Sequence, residues 1–194
     1  MRLLLALAIL VLSPTLAFAH AGHGNVGFAH GFEHPIGGID HLLAMIVVGV
    51  FAFTLGGRAL FLVPISFVGM MVAGFTLGIG QVQIPFVELG IALSSLAIGA
   101  AAAMGRPMPA VAAMTLVGVF AVFHGHAHGT EMPGMASGLT YALGFVTATS
   151  LLHLAGILLA FGSARTVGRH GKAAARLAGG VVALGGIGVL AGWL

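Results

Sequence analysis

Two stretches of this chain set metal-binding residue types at helical spacing inside otherwise apolar sequence. Residues 34–49, HPIGGIDHLLAMIVVG, carry His34, Asp40, His41 and Met45. His34 and His41 are seven apart and share a helix face, and Met45 lies one turn on from His41. Asp40 is rotated off that face, where it can ligate a cation or orient an imidazole. The plainer alternative is that Asp40 and His41 pair with each other or cap the helix. Residues 123–131, FHGHAHGTE, place His124, His128 and Glu131 at i, i+4 and i+7, and two imidazoles at i, i+4 make a bidentate clamp for a divalent metal. His126 projects to the opposite side as a solvated capture group, and Gly125 and Gly129 weaken the helix. An ionised group at mid-bilayer costs about 2.5–3.5 kcal/mol on insertion scales. Acids and imidazoles at the ends of such runs therefore point to cation handling.

Further groups lie outside these two stretches. Glu88 counts as buried in its span when that span starts near Pro85, with Ser95 on the same face seven residues later. It reads as a ligand or as a protonated acid packed between helices. His153 follows Thr149 and Ser150 by about one turn within a long apolar run. It reads equally as a satisfied structural histidine or as a deeper station for the cation. Near the start, residues 17–19 (AFA) form an A-x-A cleavage site behind Arg2 and a short apolar core, the pattern of a secretory signal peptide over residues 1–19. Cleavage would leave His20 as the mature terminus. Its free α-amine and imidazole would chelate a metal, with His23 as a third nitrogen.

The elements that must position these residues are membrane helices. Of the 194 residues 59% are hydrophobic and only 6% charged, far below the ~25% charge of a soluble domain. Residues 20–33 are rich in Gly and His without apolar periodicity and read as a flexible outer segment. Six apolar spans follow, at residues 35–56, 59–80, 84–104, 108–128, 137–162 and 174–194, each near the ~20 residues a bilayer needs. Pro35 suits the first turn of the first span. The expected fold is thus an all-α integral membrane bundle of six transmembrane helices over residues 34–194, after a cleavable signal peptide. Gly74/Gly78 and Gly188/Gly192 read as GxxxG packing pairs.

Short links force neighbouring spans to run antiparallel. Arg58 and Arg106 fall in the first and third links, and Arg165, Arg169, Lys172 and Arg176 around the fifth. The positive-inside rule then puts the odd links in the cytoplasm of a bacterial inner membrane and both mature termini outside, as the signal peptide does independently. On that map all four acids and eight of the ten histidines lie on the outer side or in the outer third of a span. A pI near 10.7 does not imply nucleic-acid binding, since it rests on seven basic residues against four acids with no basic stripe. Cysteine is absent, which excludes disulfides, thiolate metal sites and Cys nucleophiles.

The two motifs resemble a known family. HPIGGIDHLLAMIVVG fits HPxxGxDHxxxMxxVG and FHGHAHGTE fits FHGxAHGxE, patterns of the HupE/UreJ nickel/cobalt permeases, and PFVELGIALSS (residues 85–95) is similar to that family's third span. The resemblance covers effectively the whole chain. It implies uptake of Ni²⁺ or Co²⁺, supply to hydrogenase or urease, and functional roles for His34, Asp40, His41, Glu88, His128 and Glu131.

The expected function is secondary transport, since no G-x-x-x-x-G-K-[ST] nucleotide signature exists. The partners are then a divalent metal substrate and the bilayer, without nucleic acid or a permanently bound cofactor; a homo-oligomer is compatible with this. Nitrogen and oxygen ligands bind Cu²⁺ more tightly than Ni²⁺ by the Irving–Williams order, so nickel follows from the resemblance alone. Three rivals remain: a haem-binding membrane cytochrome with His41 and His128 as axial ligands, an outer-face metal sensor without transport, and a membrane hydrolase. The last lacks both H-E-x-x-H and G-x-S-x-G.

Overall fold

In a computed structural model, residues 26–134, 136–166 and 171–193 are described. Among them every regular element is a helix: α1 (Val26–Gly37), α2 (Ile39–Leu55), α3 (Ala59–Ile79), α4 (Val87–Met104), α5 (Ala110–Thr130), α6 (Gly138–Thr166) and α7 (Gly171–Leu190). Helices α3 to α7 are each long and apolar enough to cross a membrane. A sixth span exists if α1 and α2, which meet at 83°, are one broken span. The chain is therefore a multi-pass membrane protein. The proposed signal peptide, His20 and His23 lie outside the described residues.

The bend between α1 and α2 departs from the expected continuous first span. Gly38 adopts an extended conformation and ends α1, and Pro35 sits in the last turn of α1 rather than the first turn of a span. Residues 26–33, expected to be flexible, are helical. Gly27, Gly31 and Pro35 are buried at i, i+4 and i+8. A side chain at Gly31 would run into the Tyr141 backbone, and one at Gly144 into that of Phe28. This stripe is made of small residues that let α1 approach α6 closely, so it leaves no apolar periodicity in the sequence.

Contacts at the two ends show how the helices alternate. His126, near the end of α5, reaches Val82 in the α3–α4 link. At the other end, Arg176 of α7 donates to the carbonyl of Gly105 at the end of α4. Arg58, Arg106, Arg165 and Arg176 thus gather at one end of the bundle, and Asp40, Glu88 and Glu131 at the other.

Helices α3 and α5 pack closely through glycine. A Cβ at Gly74 would strike the Val122 backbone, and one at Gly125 would strike that of Met71. Gly78 and Gly129 oppose each other the same way. Gly125 and Gly129 therefore strengthen the bundle where they were expected to weaken a helix, because in lipid close van der Waals packing is what holds helices together. The Gly188/Gly192 pair does not do this. Gly192 lies beyond α7 in a left-handed turn (φ 70°) with nothing within 4 Å of a Cβ placed there.

Candidate metal passage

Four imidazoles from three helices meet at the acidic end of the bundle. The 83° bend turns the end of α1 over the bundle, which sets the His34 ring 4.6 Å from that of His128 on α5. His41, in the first turn of α2, lies 5.8 Å from His34, 5.6 Å from His128 and 4.7 Å from His124, ring centre to ring centre. His124 and His128 are fully buried and His41 is 8% exposed. Glu131 stands at the mouth, half-exposed, with Oε2 3.3 Å from His34 Nε2.

In two of the rings, His41 and His124, hydrogen bonds fix which nitrogen keeps its lone pair. Asp40 Oδ1 accepts the His41 backbone N–H at 2.8 Å and faces His41 Nδ1 at 3.3 Å. A carboxylate only accepts, so Nδ1 carries the proton and the buried, unpartnered Nε2 is the free donor to a metal. Asp40 thus pairs with His41, as the plainer reading had it, and by that pairing orients the imidazole as a carboxylate does beside a metal-binding histidine. At His124 the logic runs through Ser94. The Ser94 hydroxyl donates to the Ile91 carbonyl at 2.6 Å, so it must accept from His124 Nε2 at 2.8 Å. His124 Nδ1 is left buried and unpartnered, and both nitrogens of His128 are as well.

A lone pair shut away from water without a partner costs about 1–3 kcal/mol. Three adjacent rings carry such nitrogens here, and a cation is the species that satisfies several lone pairs together. Among the described residues, however, no three His, Asp or Glu side chains enclose one metal position. The donors form a string instead: Glu131, His34, His128 with His41, then His124. Spacing along α5 sets its direction, since Glu131, His128 and His124 step inward by three and four residues.

Two expected site members stand elsewhere. Glu88 is exposed and makes no ion pair or hydrogen bond among the described residues. The cause is the helix start: α4 begins at Val87, after a left-handed Phe86 (φ 58°), so Glu88 occupies its first turn instead of a position inside a span starting at 84. Helix α4 contributes Ser94 in its place. Ser95, the expected partner on the face of Glu88, donates to the Asp40 carbonyl at 3.2 Å. His126 does project away from the string, but it is buried rather than solvated, and its Nε2–H donates to the Val82 carbonyl at 2.7 Å.

Several surrounding residues escaped the sequence reading. Phe145 stacks on His128 with centres 4.6 Å apart and planes only 3° from parallel. Tyr141 is buried beside His34 at 6.4 Å with its hydroxyl unpartnered, and it is the only tyrosine in the chain. That rarity was the one available signal. Phe67 touches His124 at 5.6 Å and His153 at 5.1 Å, separating the string from the deeper histidine. Apolar residues in a membrane chain carry no sequence mark that tells lining from packing.

Comparison with known proteins agrees with the motifs. The family model described as "HupE / UreJ protein" matches residues 7–189. Protein HupE of Rhizobium leguminosarum bv. viciae is 44% identical over 179 residues, which span 92% of each chain. No solved structure matches. With the family model spanning both motifs and nearly half of the aligned residues shared with a full-length relative, the chain belongs to the HupE/UreJ family.

Proposed function

We propose that this protein is a secondary transporter that imports a divalent transition metal, with Ni²⁺ as the expected cargo and Co²⁺ as the alternative. The observation that carries the reading is the string of buried imidazoles whose free lone pairs lead inward from Glu131. A closed set of ligands would hold an ion, whereas successive partial sets let it exchange one ligand at a time and move. Family membership supports metal uptake and, with it, supply to hydrogenase or urease.

In this mechanism Glu131 and His34 draw a hydrated cation to the mouth. His128 and His41 then replace part of its water, with Asp40 keeping His41 in the tautomer that ligates. His124, held by Ser94, takes the ion one turn deeper. Under the positive-inside rule the arginine-bearing end faces the cytoplasm of the inner membrane, so the mouth and both mature termini face outward. The membrane potential would drive entry by about 2.3 kcal/mol per charge per 100 mV. No catalytic step is assigned to any residue. His20 and His23 serve as capture groups at the processed terminus, and Glu88 acts at the outer surface, before the string.

The test is accumulation of radiolabelled Ni²⁺ in proteoliposomes by the wild-type protein and by His41→Ala. The wild type should accumulate the ion and His41→Ala should lose at least tenfold of the initial rate. Binding without accumulation by the wild type would leave a sensor, and a Soret band in the purified protein would restore the cytochrome.

A further inference from the structure

Around Phe67 the bundle holds a second group of polar atoms that the string does not use. His153, in the middle of α6, is 2% exposed, and neither ring nitrogen has a hydrogen-bond partner. One turn earlier on the same face is Thr149, fully buried, whose hydroxyl donates to the Met71 sulfur at 3.7 Å. Met71 is also fully buried, one turn from Phe67 along α3. The two helices run antiparallel here, so Phe67 meets His153 and Met71 meets Thr149 in consecutive turns. This places a thioether in contact with a hydroxyl, and an imidazole about one helical turn (~5.4 Å) along α6 from that hydroxyl.

Each group alone has an ordinary explanation. A methionine fills gaps in a core, and a trapped water would satisfy an imidazole. Water, however, has no use for a thioether. A hydroxyl that settles for a sulfur acceptor, next to an imidazole whose N–H and lone pair both lack a partner, leaves most of this polar capacity unspent. A borderline cation binds nitrogen and sulfur together, whereas hard cations such as Mg²⁺ demand oxygen.

We infer that His153, Met71 and Thr149 form a second metal station, inward of His124 and bordered by Phe67, whose ring stands between those of His124 and His153. It takes a borderline divalent cation through imidazole nitrogen and thioether sulfur, with the threonine oxygen available as a further ligand. Its place on a route rests on the transport reading, whereas its occupancy by metal does not. Placed there, the station discriminates among ions: Mg²⁺, which oxygen ligands at the mouth would admit, finds no adequate site one step further in. Exchange of oxygen for sulfur ligands along the path thus selects the cargo.

The probe is Co²⁺ alone, added to the detergent-purified full chain and followed by visible absorption and X-ray absorption spectroscopy. The variant H41A/H128A, which strips the outer string, should retain one Co²⁺ with a sulfur atom among its ligands. Adding M71L should remove the sulfur signal while the ion stays bound at least tenfold more weakly, and adding H153Q should abolish that ion. If H41A/H128A loses its fold, M71L in the wild-type background carries the same test, since Leu matches Met in volume and only the sulfur signal should change. A Co²⁺ spectrum without sulfur in the wild type, or one unaltered by M71L and H153Q, would overturn the station. Wild-type protein that shows the sulfur-ligated ion but accumulates no Ni²⁺ in proteoliposomes would confirm the station and refute transport.

Discussion

Asp40 shows how a single carboxylate can fix the tautomer of the imidazole beside it. It accepts two hydrogen bonds from His41 and so decides which ring nitrogen is bare. Replacement by Asn keeps the size but removes the charge that favours the Nδ1-protonated ring. Metal affinity should fall about 10–100-fold, the usual effect of losing a partner behind a ligating histidine. Calorimetric titration of Asp40→Asn with Ni²⁺ measures this directly, and unchanged affinity would mean that Asp40 only caps α2. Ser94 plays the equivalent part for His124 with a neutral hydroxyl. The sequence pointed to Asp40 because an acid beside a histidine stands out in an apolar run. Ser94 gave no such signal, since serine is common in membrane helices and its partner lies thirty positions away.

At the scale of elements, glycine decides where the donors end up. The α3–α5 contact through Gly74, Gly78, Gly125 and Gly129 places His124 and His128 against the bundle interior, because the helix face bearing Gly125 is pressed onto Met71. Leu at Gly125 must push the two helices apart. Gly125→Leu should therefore lower the melting temperature sharply or abolish the folded monodisperse protein, as read by thermal denaturation with size-exclusion chromatography. Gly69, on α3 with nothing within 4 Å of its Cβ position, is the control. Gly69→Leu should be neutral or slightly stabilising, since it replaces a helix-interior glycine. Equal melting of both variants would refute close packing at this crossing. The Gly37–Gly38 break acts differently: it ends α1 and lets His34 return over His128, which a continuous first span would have carried away.

The whole molecule is polarised, with arginines at one end and acids and imidazoles at the other. The absence of native cysteine makes the orientation directly testable. In intact cells a membrane-impermeant thiol reagent should label Gln83→Cys from outside and should label Arg106→Cys only after lysis. The reverse pattern would invert the direction of transport. The proposed route, lined by imidazoles, would also set a pH dependence. Protonation occupies the lone pair that would bind the metal, and free imidazole titrates near pH 6.5. Uptake should thus be highest above neutrality and decline as pH falls towards 5. A rate that rises as the pH falls would argue against imidazole coordination.

Much of this protein is determined by its sequence alone. Low charge and long apolar runs force a helical membrane bundle, because a backbone in lipid must satisfy its own hydrogen bonds. Five of the expected spans recur as helices within a few residues, and the two motifs identify the family and the histidines that meet. Tertiary structure alone decided the rest. It bent the chain at Gly38, made a helix of residues 26–33, left Glu88 exposed, buried His126, and set Thr149 against Met71 and His153 against Phe67 across two helices. The physical reason is common to all five. Membrane chains are apolar on every side, so hydropathy marks where a helix lies but not which way it is rotated. That rotation is set by close contacts between small residues distant in sequence, and it fixes which lone pairs face one another.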